Sequence, residues 1–426
     1  VTQGDFFNRK MKLQSIQKGR EEAITEVFSY ADHEKKLEDA INKYKNADEK
    51  ARKAMLKDAE ALLKREHNVS TLLSENGKLE KTRVGDYSLE YDGLSVASQG
   101  LGLASAQKIT DKISTCPRSG ICEGLCLGET SGGNLRYGGS AAEDVGDIKK
   151  GSFRAAARMM QYLKTEALIV NPEAFAIKLQ SEIDSLAKWC ASETQIKVVT
   201  NANGKKSRVK VAKEKYQPAV RLNVTSDFKP DMFSAIINNN PDVKFYDYTK
   251  LGSDSIAPNH HLTYSSTGFG QIINGEKVFF KDKSGKYDHN WATMRRRLNE
   301  GFNVAMAFSS KSEIPNSLFD EETGKTYLVL DGDDYDARFL DEYNKIKLDA
   351  GTDGVIVGLR NKAGTLKESN ATEKTGGFFV NYDPEKDKGK VTVPKQQQFK
   401  GVIPIAQEPT AKFSLAQVDD FFGKSE

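Results

Sequence analysis

Three cysteines in one short loop carry the most concentrated reactive chemistry in this chain. Cys116, Cys122 and Cys126 follow a C-x5-C-x3-C spacing within Thr115–Gly133, and glycine-bearing segments flank the loop on both sides. Thiolates are soft ligands that suit zinc or iron. Structural zinc takes four protein ligands in closely spaced pairs, whereas the fourth cysteine, Cys190, lies far along the chain. Three thiolates with one open position instead fit a [4Fe–4S] cluster.

The cysteine loop has two interpretations. In the first it binds a metal or a cluster, as in radical S-adenosylmethionine enzymes, which bind S-adenosylmethionine at the open iron and usually carry the spacing C-x3-C-x2-C. In the second the thiols are reduced and only pack. Four cysteines in 426 residues, with no export signal at the N-terminus, do not make a disulfide framework. Cys190 follows Trp189 at the end of a predicted helix and is interpreted as a buried thiol.

Short apolar runs that end in polar residues predict the scaffold of the site. Parallel strands that are covered on both faces appear in a sequence as continuous apolar runs. Enzymes of the α/β class place site residues just after the carboxyl ends of such strands. The sequence therefore predicts an α/β fold, either a (β/α) barrel or a related mostly parallel sheet. The alternative at each position is that Ser or Asp only caps the next helix. Six runs show the pattern: Val220–Thr225, Val243–Tyr246, Leu262–Tyr264, Phe302–Phe308, Tyr327–Leu330 and Val355–Val357.

Polar residues on or after these strands are the catalytic candidates, namely Asp227, Asp247, Lys250, Ser265 and His261. Lys250 is a candidate anchor for a carboxylate or phosphate group. His261 would share one side of its strand with Ser265, because alternate residues face the same way; a structural histidine is the alternative. The acidic stretch Asp331–Asp336 is a candidate site for a hard cation.

The chain divides into three parts by composition. Residues 1–85 are rich in lysine and glutamate, and Glu21–Glu66 has the periodicity of one or two amphipathic helices. Residues 86–400 form the predicted α/β domain, with a basic β-hairpin insertion at residues 195–217, and residues 401–426 form a tail. No apolar run of about 18 residues predicts a membrane span.

Basic residues in two places are candidates for contact with nucleic acid, although the net charge of +3 does not by itself favour such a partner. The alternatives are a solvated hairpin flap and a solvated helix face. The candidates are Lys205, Lys206, Arg208 and Lys210 in the hairpin, and Arg295 and Arg296 in the run Arg295–Arg297.

Six motifs occur in order between about Tyr91 and Tyr382: CPRSGICEGLCLGETSG, RAAARMM, AVRLNVTSDF, VKFYDYTK, HHLTYSSTG and VIVGLR. Together they resemble the gene product 88 domain family of phages and mobile plasmids. The resemblance implies a protein that acts in the cytoplasm of an infected or recipient cell, or in a virion. It also implies a site that gathers Cys116, Cys122, Cys126, Asn223, Asp227, Asp247, Tyr248, Thr249, Lys250, Ser265 and Arg360, with Asn223, Thr249 and Arg360 as cofactor-binding candidates.

Two functions from different classes follow. The first is an enzyme-like α/β domain with radical S-adenosylmethionine chemistry at an iron–sulfur cluster, where Asp227, Asp247 and Lys250 position the substrate. The second is a phage protein that binds nucleic acid, or is packaged in or ejected from the virion, and does not catalyse. The helical N-terminal segment is a candidate surface for association with other phage proteins. The missing initiator Met is compatible with release from a larger polyprotein.

Overall fold

A mostly parallel β-sheet with helices packed on it forms the centre of the molecule in the computed structural model. The structure describes residues 28–75, 90–105, 113–117, 153–200, 206–251, 253–266, 270–273, 276–279, 291–308, 314–320, 323–341, 353–360 and 402–404.

Six α-helices lie in the described ranges: α1 (Tyr30–Asn46), α2 (Glu49–His67), α3 (Phe153–Val170), α4 (Pro172–Ala191), α5 (Ser234–Asn238) and α6 (Trp291–Asn299). The Ser29 side chain caps α1 by accepting from the Asp32 N–H, and the Asp48 side chain caps α2. Asn68 follows the last residue of α2 as its C-cap, and its φ of 54° is the left-handed conformation common at helix ends. The predicted N-terminal helical segment therefore forms two helices.

Fifteen strands lie in the same ranges: β1 (Leu73–Ser74), β2 (Glu90–Tyr91), β3 (Leu94–Leu101), β4 (Thr194–Thr200), β5 (Lys206–Ala212), β6 (Tyr216–Arg221), β7 (Lys244–Thr249), β8 (His260–Ser265), β9 (Gly270–Ile273), β10 (Glu276–Phe279), β11 (Val304–Phe308), β12 (Ser317–Asp320), β13 (Lys325–Asp331), β14 (Ile356–Arg360) and β15 (Val402–Pro404). Each of the six predicted apolar runs overlaps one of them. Most of the predicted tail, residues 401–426, lies outside the described residues.

Eleven of these strands form one sheet, in the order β1-β3-β6-β7-β8-β11-β14-β13-β12-β15, with β2 also paired to β3. Every pair from β3 through to β13 is parallel, and the outer pairs are antiparallel. The prediction of an α/β protein with a mostly parallel sheet is confirmed. The described strands form an open sheet rather than a closed barrel.

Helices α1, α2 and α4 pack together on one face of this sheet. Leu37 and Ile41 of α1 join Phe175 of α4 in a core that also contains Val220 of β6 and Phe245 of β7. Burying each such side chain stabilises the fold by about 1.5–3 kcal/mol. The two N-terminal helices are thus part of the main core.

The opposite face of β3, β6 and β7 is covered by the segment Tyr335–Leu340, which follows β13. Phe339 of this segment contacts Tyr246 of β7, with the ring centroids 5.7 Å apart. Successive residues of a strand face opposite sides of the sheet, which is why Phe245 contacts the helices and Tyr246 contacts this segment.

In the region of the predicted basic hairpin, β4 and β5 form an antiparallel pair, and the last two residues of the predicted insertion belong to β6. Within the described parts of the chain, β4 and β5 pair only with each other. Among the described helices, none is both long enough and apolar enough to cross a membrane.

Candidate functional site

Polar side chains collect where β3, β6 and β7 end. Because these strands are parallel, their carboxyl-terminal ends lie on one edge of the sheet, here called the carboxyl edge. The predicted strand Val220–Thr225 ends earlier than expected, at Arg221, so that Asn223–Asp227 form the loop after β6. The Val224 N–H donates to the Leu101 carbonyl at 3.3 Å, which holds this loop against the end of β3.

Cys116 lies at the carboxyl edge, between the ends of β3 and β6. Its Sγ is 3.7 Å from the carbonyl oxygen of Thr225. The preceding residue, Thr115, is fully buried; its hydroxyl donates to the Ala104 carbonyl at 2.6 Å, and its own carbonyl accepts from the Asp227 N–H at 2.8 Å. The other two cysteines of the loop, Cys122 and Cys126, lie outside the described residues. Within the part of the chain that the structure describes, no group of three or more His, Cys, Asp or Glu side chains is arranged to hold a metal ion.

Asn223 and Asp227 shape the loop after β6. The Asn223 Oδ1 accepts from the Phe228 N–H at 3.0 Å and from the Ser226 hydroxyl at 2.9 Å. The Asp227 Oδ2 accepts from the backbone N–H of Lys250 at 2.9 Å, which joins the ends of β6 and β7. Asn223 and Asp227, which belong to one motif, are therefore brought together with Lys250, which belongs to the next.

Asp247 is buried next to this loop, near the end of β7. Its Oδ1 accepts from the Asn223 N–H at 2.7 Å, and the Arg221 Nε lies 4.0 Å from the same oxygen. Burial raises the pKa of Asp247 to about 7, against the opposing effect of the Arg221 guanidinium and the Asn223 N–H. A carboxyl group that titrates near pH 7 can serve as a general acid or base. Cys116, Asn223, Asp227, Asp247 and Lys250 are called the rim cluster below.

Tyr30, the first residue of α1, adds a phenol to the rim cluster that the sequence did not predict. Its ring contacts Phe228 at a centroid distance of 5.9 Å. Its hydroxyl is shielded from solvent and makes no hydrogen bond within the described residues. Burial raises the pKa of Tyr30 above its ordinary value, and the charges of Asp227 and Cys116 raise it further. No sequence pattern connected Tyr30 with the site, because Tyr30 lies 86 residues before Cys116 in the chain.

Thr249 and Ser265 end β7 and β8 at the carboxyl edge, as predicted. The Thr249 hydroxyl accepts from the Leu251 N–H at 3.0 Å and so turns the chain after β7. Ser265 is half-buried, and the N–H of its buried neighbour Ser266 donates to the Ala305 carbonyl of β11.

His261 lies elsewhere, near the amino-terminal end of β8. It is level with Tyr246 in the sheet and borders a cavity of about 210 Å³ whose wall also includes Glu300 and Asn303, which precede β11. The Thr263 hydroxyl is 3.5 Å from its Nε2. Asp247 of the rim cluster lies level with Leu262, the next residue of β8. Because successive residues of a strand face opposite sides of the sheet, the His261 side chain lies on the other face from Asp247.

Arginine side chains of the same chain form ion pairs with the acidic stretch Asp331–Asp336. Arg360, at the end of β14, pairs with Asp333 at 2.5 Å. The Asp336 carboxylate accepts from Arg221 at 3.2 Å, beneath Tyr248, whose ring lies 4.9 Å from the Arg221 guanidinium carbon. These pairings explain why the stretch is folded against the sheet.

A buried polar network, also missed by the sequence, links this stretch to β3 and β7. Ser98 and Tyr246 share a 2.7 Å hydrogen bond between their hydroxyls, and the Tyr246 hydroxyl donates to Asp336 at 3.5 Å. The fully buried Arg338 pairs with the equally buried Asp341 at 3.6 Å. Burial raises the pKa of the neighbouring Tyr248 to about 12.

The basic candidates lie in two different environments. Arg295 of α6 pairs with the fully buried Asp320 at 2.5 Å. The side chain of the neighbouring Arg296 is 62% exposed and makes a longer ion pair, of 3.7 Å, with Glu300. Lys206, Arg208 and Lys210 are exposed on β5. Lys205 lies outside the described residues.

Comparison with known proteins places this arrangement in a family. No curated protein sequence and no solved structure gave a match to the chain. A family model described as Gene product 88 matches residues 61–377, which include α3 to α6, the whole of β3 to β14 and the rim cluster. Since the match spans well over half of the 426 residues, the chain belongs to the Gene product 88 family.

Proposed function

We propose that this protein is an enzyme whose active site is the rim cluster, and that Cys116, Cys122 and Cys126 hold an iron–sulfur cluster there. The observation that carries the proposal is the position of Cys116. The first cysteine of the loop lies at the carboxyl edge, with its Sγ 3.7 Å from the Thr225 carbonyl and its neighbour Thr115 bonded to Asp227. Site residues of parallel α/β enzymes collect at this edge.

The chemistry of the donors supports a cluster over structural zinc. The loop offers three thiolates in eleven residues, and the remaining cysteine, Cys190, is buried in α4. The Tyr30 hydroxyl, which is shielded from solvent and has no hydrogen-bond partner among the described residues, is the polar group that a bound molecule would satisfy. When bound, such a cluster supplies one electron for reductive cleavage of S-adenosylmethionine.

The protein side chains take the remaining roles in this proposal. Asp227 and Asp247 accept hydrogen bonds from the bound substrate, and the Lys250 ammonium group attracts a carboxylate or phosphate on it. Asp247 holds or releases a proton at its carboxyl group near neutral pH, because its pKa is raised to about 7. Tyr30 closes the site on the side of α1.

The test is purification without oxygen, followed by reconstitution with iron and sulfide. We expect charge-transfer absorption in the visible spectrum and about four irons per chain. Cys122→Ala and Cys126→Ala should each lower the iron content severalfold, while Cys190→Ala, which alters a cysteine outside the loop, should leave it unchanged. A colourless reconstituted protein, zinc in place of iron, or full iron content in Cys122→Ala would contradict the proposal.

The proposed setting is the cytoplasm of a phage-infected cell or of a cell that receives a mobile element. Membership of the Gene product 88 family supports this setting, because the resemblance of the six motifs to that family implies a phage or mobile-element protein. Quantitative mass spectrometry of infected cells and of purified particles separates the alternatives. Many copies in every particle would favour the packaged protein without catalytic activity over the cytoplasmic enzyme.

A further inference from the structure

We propose that the hairpin β4–β5, here called the basic ribbon, is a docking surface for the backbone of duplex nucleic acid. This inference does not depend on the iron–sulfur cluster. The ribbon pairs with no other strand of the described residues, and both of its strands are exposed along most of their length.

The register of the ribbon places three cations on one face. Lys210 lies opposite Ile196, Arg208 opposite Val198 and Lys206 opposite Thr200. Directly opposed residues share a face, and alternate residues of a strand are about 6.7 Å apart on that face. The three cations therefore form a straight row, which matches the linear row of phosphates in a nucleic acid strand.

No acidic residue of the ribbon neutralises this row. Residues 194–212 contain Lys197, Lys205, Lys206, Arg208 and Lys210 and no Asp or Glu. Among the described residues, Lys206, Arg208 and Lys210 make no ion pair, whereas Lys215 at the base of the ribbon pairs with Glu193 at 3.0 Å. A concentrated positive charge of this kind is complementary to a polyphosphate backbone.

The side chains that share the face favour a duplex over the other anionic partners. Ile196 and Val198 are 69% and 60% exposed between the cations, and aliphatic groups of this size contact sugars and thymine methyl groups. Residues 194–212 contain no Phe, Trp or Tyr, whereas single-strand binding and membrane-interface binding both use such rings. A two-stranded ribbon also fits the width of a major groove.

The test measures fluorescence anisotropy of the full chain with a labelled duplex of about 20 base pairs over a series of salt concentrations. The variant carries Lys206→Gln, Arg208→Gln and Lys210→Gln. The matched control carries Lys35→Gln, Lys53→Gln and Lys64→Gln, which remove the same charge from exposed positions on α1 and α2. Circular dichroism of both variants confirms the fold, since all six side chains are exposed.

We expect the duplex to bind at low salt, and the ribbon variant to lower the slope of log K against log salt by about 2.7, which corresponds to three phosphate contacts. The control should change the slope by less than about 1. Three results would overturn the proposal: no binding of the duplex at low salt, equal losses in the two variants, or tighter binding to single-stranded DNA or to phosphatidylserine vesicles than to the duplex.

Discussion

The backbone N–H of Asp227 donates a 2.8 Å hydrogen bond to the carbonyl oxygen of Thr115. This bond joins the start of the cysteine loop to the loop after β6. Thr115 is itself buried, and its hydroxyl is bonded to the chain after β3. Two strands of the sheet therefore fix the position of Cys116, so that any ligand of this thiol also lies near Asp227.

The raised pKa of Asp247 predicts how stability depends on pH. The folded value is about 7, and the unfolded value is about 3.9. Between these values the folded state binds a proton that the unfolded state has released, so the wild type loses stability as pH rises from about 4 to about 7. The stability of the Asp247→Asn variant should not fall with pH in this way, because its amide does not titrate. Its amide oxygen can still accept a hydrogen bond from the Asn223 N–H.

Urea unfolding at pH 5, 6, 7 and 8 measures this effect. We expect the stability of Asp247→Asn relative to wild type to rise by up to about 1.4 kcal/mol per pH unit below pH 7, and to level off above it. A difference that stays constant from pH 5 to pH 8 would show that the carboxyl group is already ionised throughout.

Arg295 and Arg296 are neighbours on α6 that should respond very differently to substitution. Arg295→Ala leaves the fully buried Asp320 without its guanidinium partner, which should cost about 3–5 kcal/mol. Arg296→Ala removes an exposed pair and should cost less than about 1 kcal/mol. Chemical denaturation of the two variants compares these costs, and similar losses of stability would contradict the placement of Arg295.

His33 should be essential for docking α1. Its ring is fully buried, and its two nitrogens lie 2.8 Å from the Ser29 carbonyl and 2.7 Å from the Ile169 carbonyl at the end of α3. We expect His33→Ala to lower the free energy of unfolding by about 2–4 kcal/mol, because it leaves a cavity and an unsatisfied carbonyl. Lys35→Ala, at an exposed position of the same helix, should change it by less than about 0.5 kcal/mol. Equal effects in thermal unfolding would rule out this role for His33.

The sheet could be predicted from the sequence because its central strands are covered on both faces. Val304–Phe308, for example, is buried at every residue, and it lies within the predicted run Phe302–Phe308, which is apolar except for Asn303. The boundaries were less accurate at β6, where the predicted strand continued to Thr225. The strand ends at Arg221 because contacts with Leu101 and Asp247 turn the following residues into a loop.

The site was predictable only in part. Asp227, Asp247 and Lys250 lie just after predicted strands, whereas Asn223 lies inside the predicted strand Val220–Thr225. Short loops bring the four residues together. Tyr30 was missed because its contacts are made across long stretches of sequence. His261 lies on the predicted strand but faces the opposite side of the sheet from Asp247, and the apolar run did not indicate which face of the sheet carries the site.

Helix α1 packs against parts of the chain that are synthesised much later, so it cannot reach its folded position as soon as it is made. The hydrogen bond from His33 to Ile169 joins residues 136 positions apart, and the pair of Lys45 with Asp184 joins residues 139 positions apart. At a synthesis rate of about 5–20 residues per second, the partners of α1 are made roughly 7–28 s after it. During that interval the apolar side chains of Leu37 and Ile41 are uncovered on the nascent chain.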